Sequence, residues 1–335
     1  MAQIGSITIS PALINTACAW ASNLDQLKDL HSSPFTGAVT TRTSTLKGYN
    51  EISSCGVVFA NSSTSSLNSY GYSPLPLSSY IGWVKEILSD AVASSNVKPI
   101  KPFILSITAC SAEELSSMIA LVQDLRSTPK FAPLVAIELN TSCPNVSSAS
   151  PSGYIPSSIY PLLGVLSETH TQDKSLTIGL KLPPYTYRDQ FDAVISMLKE
   201  FNYEDADGGQ QNSFAFLTCT NTLGNSLLFP EQVIETLATT KELKDTEFAV
   251  PTAVGGLAGD AIHALSLGNV YTFHRLLHEE THRSGDGLRS ISIIGVGGVT
   301  SPAALTRMRK AGASVVGVAT LLGKEGVNAF ELLSN

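Results

Sequence analysis

One cysteine stands among amides and hydroxyls in Glu138-Leu139-Asn140-Thr141-Ser142-Cys143-Pro144-Asn145-Val146. The stretch follows the apolar run Leu134-Val135-Ala136-Ile137 and breaks abruptly into polar residues. Such a run reads as a covered parallel strand. The point just past a strand of that kind is where α/β enzymes place their reactive groups. Two asparagines and a serine around a thiol make an amide-lined pocket with one titratable group, Cys143. The alternative use of a strand-end cysteine is as a small buried hydrophobe. The surrounding residues decide between the two.

Two glycine-rich turns near the C-terminus could hold an anion. They are Ile293-Ile294-Gly295-Val296-Gly297-Gly298-Val299-Thr300 and Val315-Val316-Gly317-Val318-Ala319-Thr320, each leading into a helix-like segment. Bare glycine backbone allows close approach, and N–H groups at a helix start attract phosphate. Gly255-Gly256-Leu257-Ala258-Gly259 adds a third side to the cradle. The spaced GxGxxG of a dinucleotide fold is not what these turns spell. A phosphate grip fits either a phosphorylated substrate or flavin mononucleotide (FMN), and Lys181 bears on that choice. It sits inside Gly179-Leu180-Lys181-Leu182-Pro183-Pro184-Tyr185, where a lysine is rare unless paired. A structural salt bridge would explain it. So would a cation beside the N1–C2=O edge of a flavin, or an amine poised for a Schiff base.

The elements that must position these groups recur eight times. Apolar strand candidates lie at 12–15, 38–42, 103–108, 134–140, 177–182, 214–220, 292–296 and 314–318. Helices with three- and four-residue apolar spacing lie at 23–30, 112–125, 188–201, 262–277 and 303–311. Alternating units of this kind build a parallel sheet, and eight of them predict a closed (β/α)₈ TIM barrel over residues 1–335, as one domain. Long inserts at 44–76, 146–158 and 221–260 follow barrel strands and so crowd the catalytic face. The Ser/Gly/Pro-rich start of the second reads as a lid over Cys143. Residues 202–213 read as an exposed acidic loop, and the alternating N-terminus as a short edge strand.

Composition narrows the class. The 335 residues are 43% hydrophobic and 15% charged, with a net charge of −7. Basic residues are few and scattered, which argues against a nucleic-acid surface. No apolar run reaches membrane-spanning length, and the N-terminus has no basic signal region. The five cysteines show neither metal spacing nor a disulfide framework. A cytoplasmic protein is expected, homodimeric and without a metal.

Taken together, the motifs resemble the class 1A dihydroorotate dehydrogenases, soluble FMN enzymes of pyrimidine biosynthesis. The most specific element is Asn140-Thr141-Ser142-Cys143-Pro144-Asn145. Lys181-Leu182-Pro183-Pro184, Asn221-Thr222-Leu223-Gly224-Asn225, the two glycine turns, Gly255–Gly259 and Gly323-Lys324-Glu325-Gly326 support it. The pyrimidine domain of dihydropyrimidine dehydrogenases shares the same set. The resemblance implies that Cys143 removes the C5 proton of dihydroorotate while C6 gives hydride to flavin N5, with fumarate as the acceptor. It implies that Asn68, Asn140, Asn145 and Asn221 hold the pyrimidine, whose alternating C=O and N–H groups suit amides. Cofactor contacts fall on Ala17, Cys18, Arg42, Asn140, Lys181, Gly259, Gly297, Gly298, Ala319 and Thr320.

The departures from the family pattern cluster on the substrate side. Arg42 stands where the family has a lysine touching flavin and substrate, and arginine can grip a carboxylate bidentately. In Asn68-Ser69-Tyr70-Gly71-Tyr72-Ser73, Tyr70 and Tyr72 replace smaller aliphatic residues and Ser73 a proline, in the loop where Gly71 also faces substrate. Thr222 stands for a serine. These changes keep other readings open: a flavoenzyme for another dihydropyrimidine or enone, a flavin-binding paralogue without this turnover, or a lyase using Lys181.

Overall fold

A computed structural model describes residues 1–51, 55–94, 99–143, 145–146, 152–234, 247–278 and 287–335. All eight predicted strands form and pair in parallel, in chain order, with helices between them. They run Leu13–Asn15, Val39–Thr40, Phe103–Ile107, Val135–Asn140, Ile178–Leu182, Phe216–Cys219, Ser292–Val296 and Val315–Val318. The sheet is a (β/α)₈ barrel. Its seam, between the first and second strands, is closed by a side chain rather than a ladder. The Asn15 amide donates to Thr40 O at 2.6 Å and accepts from Thr40 N at 3.0 Å.

Apolar burial in the barrel sits in two shells, with a smaller cluster around Val58, Leu67 and Val250 at the inserted strands. Leu105, Ile137, Leu180 and Leu217 point outwards into the layer between strands and helices. Ile14, Ile104, Ala136, Phe216, Ile294 and Val315 fill the barrel interior, joined there by Ile4, Ile7 and Ile9. Those three come from the N-terminal residues, which fold as a hairpin of Ala2–Ile4 and Ile7–Ile9. The Thr177 hydroxyl, just before the fifth strand, accepts from Ser6 N at 2.8 Å. The hairpin therefore plugs the barrel's lower end and leaves the upper end for chemistry.

Phe216 fills the interior by lying over Gly179, its register partner on the neighbouring strand. A Cβ on Gly179 would come within 2.2 Å of the phenyl ring. Gly179→Ala is expected to lower the denaturant midpoint by the equivalent of about 1–3 kcal/mol, the cost of overpacking a filled core. An unchanged midpoint would show that this layer has slack.

Two inserts carry structure of their own. Val57–Phe59 and Ser65–Asn68 from the first join Leu223–Leu227 and Val254–Gly259 from the third in a four-stranded antiparallel sheet. It delivers Asn68, Thr222 and Gly259 to the upper face. Residues 202–213 are not the open loop expected but a hairpin of Asn202–Glu204 and Gln210–Asn212, with Asn212 buried. Of the expected lid, residues 147–151 lie outside the described residues. The chain just beyond them is anchored: Gly153 N donates to Thr141 O at 2.7 Å, and the Tyr185 hydroxyl to Gly153 O at 2.6 Å. Helices Leu77–Ser94 and Pro156–Gln172 were not apparent from periodicity. No helix among the described residues is long and apolar enough to cross a membrane, and no cluster of metal-ligating side chains occurs among them.

Candidate active site

The upper ends of the strands surround a cleft, at the end of the barrel where such folds bind ligands. Every site residue expected from the sequence lines it except one. Ala17 and Cys18 follow the first strand, Arg42 the second and Cys143 the fourth, and Lys181 lies within the fifth. Asn221 and Thr222 follow the sixth, Gly297 and Gly298 the seventh, and Ala319 and Thr320 the eighth. The inserted sheet and the loop beyond it add Asn68, Tyr70, Gly71 and Gly259. The exception is Tyr72. Its side chain turns into the core, 5% exposed and edge-on to Tyr49 at 5.8 Å between rings.

The four asparagines act as two pairs. Asn221 Nδ2 donates to Asn140 Oδ1 at 2.8 Å and also to the Ser142 carbonyl, while Asn140 Nδ2 donates to Thr43 Oγ1 at 3.0 Å. Asn145 Nδ2 donates to Asn68 O at 3.0 Å and to Tyr70 O at 2.7 Å. Asn68 Nδ2 in turn donates to Gly256 O at 3.0 Å. These bonds fix the orientation of the four amides in advance.

Cys143 lies in the chain between Asn140 and Asn145, one member of each pair, and is half-buried. Burial pushes its thiol above the ordinary value. The backbone N–H groups of Asn145 and Val146 and the charges of Lys181 and Arg42 pull the other way without reversing the shift. Cys18, also in the cleft lining, is pushed up to about 11 by the same desolvation. Pro144, between Cys143 and Asn145, lies outside the described residues.

Lys181 is 5% exposed. Its ammonium donates to Ala17 O at 3.3 Å, and among the described residues it has no ion-pair partner. The structural salt bridge considered from the sequence is thus absent among them. Arg42 is different. Its Nη2 lies 2.5 Å from Glu51 Oε1 and donates to Gly71 O and Tyr72 O at 3.3 Å each. The guanidinium carbon stands 5.2 Å from the centre of the Tyr70 ring.

The glycine turns are held by groups that the sequence did not single out. Gly259, Gly297 and Gly298 all have positive φ, at 81°, 127° and 64°, a region glycine enters at little cost. His263 Nδ1 lies 2.8 Å from Gly297 O, and Arg307 Nε donates to His263 Nε2 at 3.2 Å. Those partners place the imidazole proton on Nδ1, bonded to the turn. Thr16, Trp20, Thr43, Ser66 and Ser142 also line the cleft. Thr16 Oγ1 is buried and has no hydrogen-bond partner among the described residues. A buried hydroxyl of that kind calls for a ligand atom or water. With a glycine cradle in the same cleft and a cation that has no ion-pair partner among the described residues, the residues present fit a phosphorylated, electron-accepting cofactor such as FMN.

The family model for dihydroorotate dehydrogenase matches residues 14–335. The chain belongs to the dihydroorotate dehydrogenase family. A protein of Streptococcus equi subsp. equi named dihydroorotate dehydrogenase A (fumarate) is 26% identical over 336 residues, covering 99% of this chain and 90% of its own. One of the same name from Streptococcus pneumoniae is also 26% identical, with the same coverage. That name belongs to the class 1A branch which the motifs resemble. Among solved structures, a ligand-free DHODH of Eimeria tenella superimposes with a TM-score of 0.69. It shares 13% identity and is covered over 84% of its length by 98% of this chain; at that identity it shows the fold.

Proposed function

We propose that this chain oxidises dihydroorotate to orotate in pyrimidine biosynthesis, with FMN as cofactor and a small soluble acceptor of the fumarate type. The observation that carries the reading is one cleft joining the Cys143 thiol, two preset asparagine pairs and the Lys181 cation, which has no ion-pair partner among the described residues. Lys181, Thr16, Ala17, Cys18 and the turns at Gly259, Gly297, Gly298, Ala319 and Thr320 would hold FMN, which would supply the acceptor for the hydride leaving C6. Asn68, Asn140, Asn145, Asn221 and Thr222 would bind the pyrimidine. Cys143, as thiolate, would take the C5 proton, and the amides on either side would keep the ring in reach of the sulfur. The same reading makes the protein a cytoplasmic homodimer, each chain acting as one domain over residues 1–335.

The Arg42–Glu51 contact favours a second reading, in which the substrate is a dihydropyrimidine or enone without a carboxylate. A guanidinium already paired has less to offer an anionic ligand.

The deciding experiment mixes the purified protein with dihydroorotate under anaerobic conditions. Loss of flavin absorbance is the expected result. Absorbance that persists with dihydroorotate but bleaches with dihydrouracil would select the second reading. A colourless protein that traps a carbonyl substrate on Lys181 with borohydride would overturn both in favour of a lyase.

A further inference from the structure

The Arg42 guanidinium lines the cleft beside Tyr70 and Gly71. It is 8% exposed. The group that occupies it is a carboxylate of the same chain, Glu51, whose Oε1 stands 2.5 Å from Nη2. Both side chains are largely shielded, 9% and 18% exposed, so solvent screens this pair less than an ordinary surface pair.

Glu51 is delivered there by the fold. Its own N–H donates to Tyr49 O at 2.9 Å, and Tyr49 N donates to Ser73 O at 2.7 Å. The Tyr49 ring stacks edge-on against Tyr72. Gly48, at φ 87°, turns so tightly that a Cβ would lie 2.3 Å from Pro74 O. The segment carrying Glu51 is thus fastened to the segment carrying Tyr70 to Ser73, whose Gly71 and Tyr72 carbonyls also accept from Arg42.

We propose that Glu51 is a specificity-determining residue, a built-in carboxylate that competes with the ligand's own carboxylate for Arg42. The inference rests on the reading of this cleft as a pyrimidine site. An anionic pyrimidine must displace Glu51 or share its guanidinium, whereas a neutral pyrimidine leaves the pair intact. Glu51 therefore selects against the carboxylate, and its strength sets how far. An ionised carboxylate competing for one donor group is worth about tenfold or more in affinity.

The test measures dissociation constants of orotate and uracil by titration calorimetry on the purified protein, as wild type and as Glu51→Gln. Glutamine keeps the shape and removes the charge. Orotate is expected to bind about tenfold more tightly to the variant, with uracil unchanged within about twofold. In an Arg42→Ala background the same Glu51→Gln change should bring no gain for orotate, because the contested group is gone. Glu51→Asp, which draws the carboxylate back by one methylene, should bring a smaller gain and guards against a fault of folding in the glutamine variant. If both ligands shift together, or orotate weakens, Glu51 only positions Arg42 and the proposal is wrong. Absence of bound FMN would sink the cofactor assignment but leave the orotate-to-uracil ratio readable, so the two failures are distinct.

Discussion

Cys143→Ala should retain the cofactor and lose the reaction. Reduction of bound flavin by dihydroorotate is expected to slow by roughly 10²–10⁴, the contribution of a positioned base. The cofactor should stay because the glycine turns at Gly259, Gly297 and Gly298 belong to other elements of the barrel and the inserted sheet. The pH dependence separates a base from a bystander. Burial holds the Cys143 thiol above its ordinary value of 9.0, so at neutral pH the thiol form dominates. Only the thiolate accepts a proton, so the wild-type rate should climb as pH rises through 9, where an unperturbed thiol would already be levelling off. Cys143→Ala should lack that climb. Cys143→Ser should be slow at neutral pH, since an unassisted hydroxyl is a far poorer base. Stopped-flow bleaching between pH 6 and 10 measures all three. A wild-type rate in the alanine variant would reduce Cys143 to a buried strand-end thiol.

The cleft was legible and its substrate corner less so because of where each residue sits. The barrel strands announce themselves because parallel strands covered on both faces must be apolar, as in Phe103–Ile107 or Ile178–Leu182. Lys181 stands out against that background, and the residues that end the strands are on the cleft by geometry. The inserted sheet gives no such signal. Ser65–Asn68 reads Ser-Ser-Leu-Asn, short and polar, and its strands pair with segments almost two hundred residues away. Helix Pro156–Gln172 contains Pro161 in its interior, so local propensity argues against a helix that packing nonetheless favours.

Tyr72 and Glu51 show the same limit at single residues. Tyr70 and Tyr72 are two apart and look equivalent in sequence, yet one faces Arg42 and the other packs on Tyr49. Glu51 lies nine residues beyond Arg42 in an insert without periodicity. Only the turn at Gly48 and the Tyr49 anchor bring it back. Charge on a loop carries no address until the loop is folded. The same holds for Thr16, an ordinary hydroxyl in sequence. It becomes a candidate ligand contact because, among the described residues, no hydrogen-bond partner meets it.

Lys181→Met should move stability and catalysis in opposite directions. Methionine keeps the length and apolar stem of lysine and removes the charge. A buried ammonium with a single carbonyl partner among the described residues, at 3.3 Å, is an incompletely compensated charge, which destabilises a folded chain. The cofactor-free protein should therefore be as stable as wild type or more so, by about 1 kcal/mol, after allowance for water in the open cleft. With cofactor and substrate the sign reverses. By the proposed function Lys181 would offset negative charge on the reduced cofactor, and a preset charge in a shielded site contributes about 10²–10³ in rate. Flavin reduction by dihydroorotate should slow by that factor. Denaturant unfolding of the cofactor-free protein and anaerobic stopped-flow on the loaded one give the two numbers. Glu138 is a buried carboxylate on the fourth strand, bonded to the Ser106 and Thr218 hydroxyls rather than to Lys181. Removing the ammonium therefore breaks no ion pair among the described residues, and a large loss of stability would mean that Lys181 is held for the fold. An unchanged reduction rate would place the electrostatic work elsewhere in the cleft, with Arg42 the other cation on its described wall.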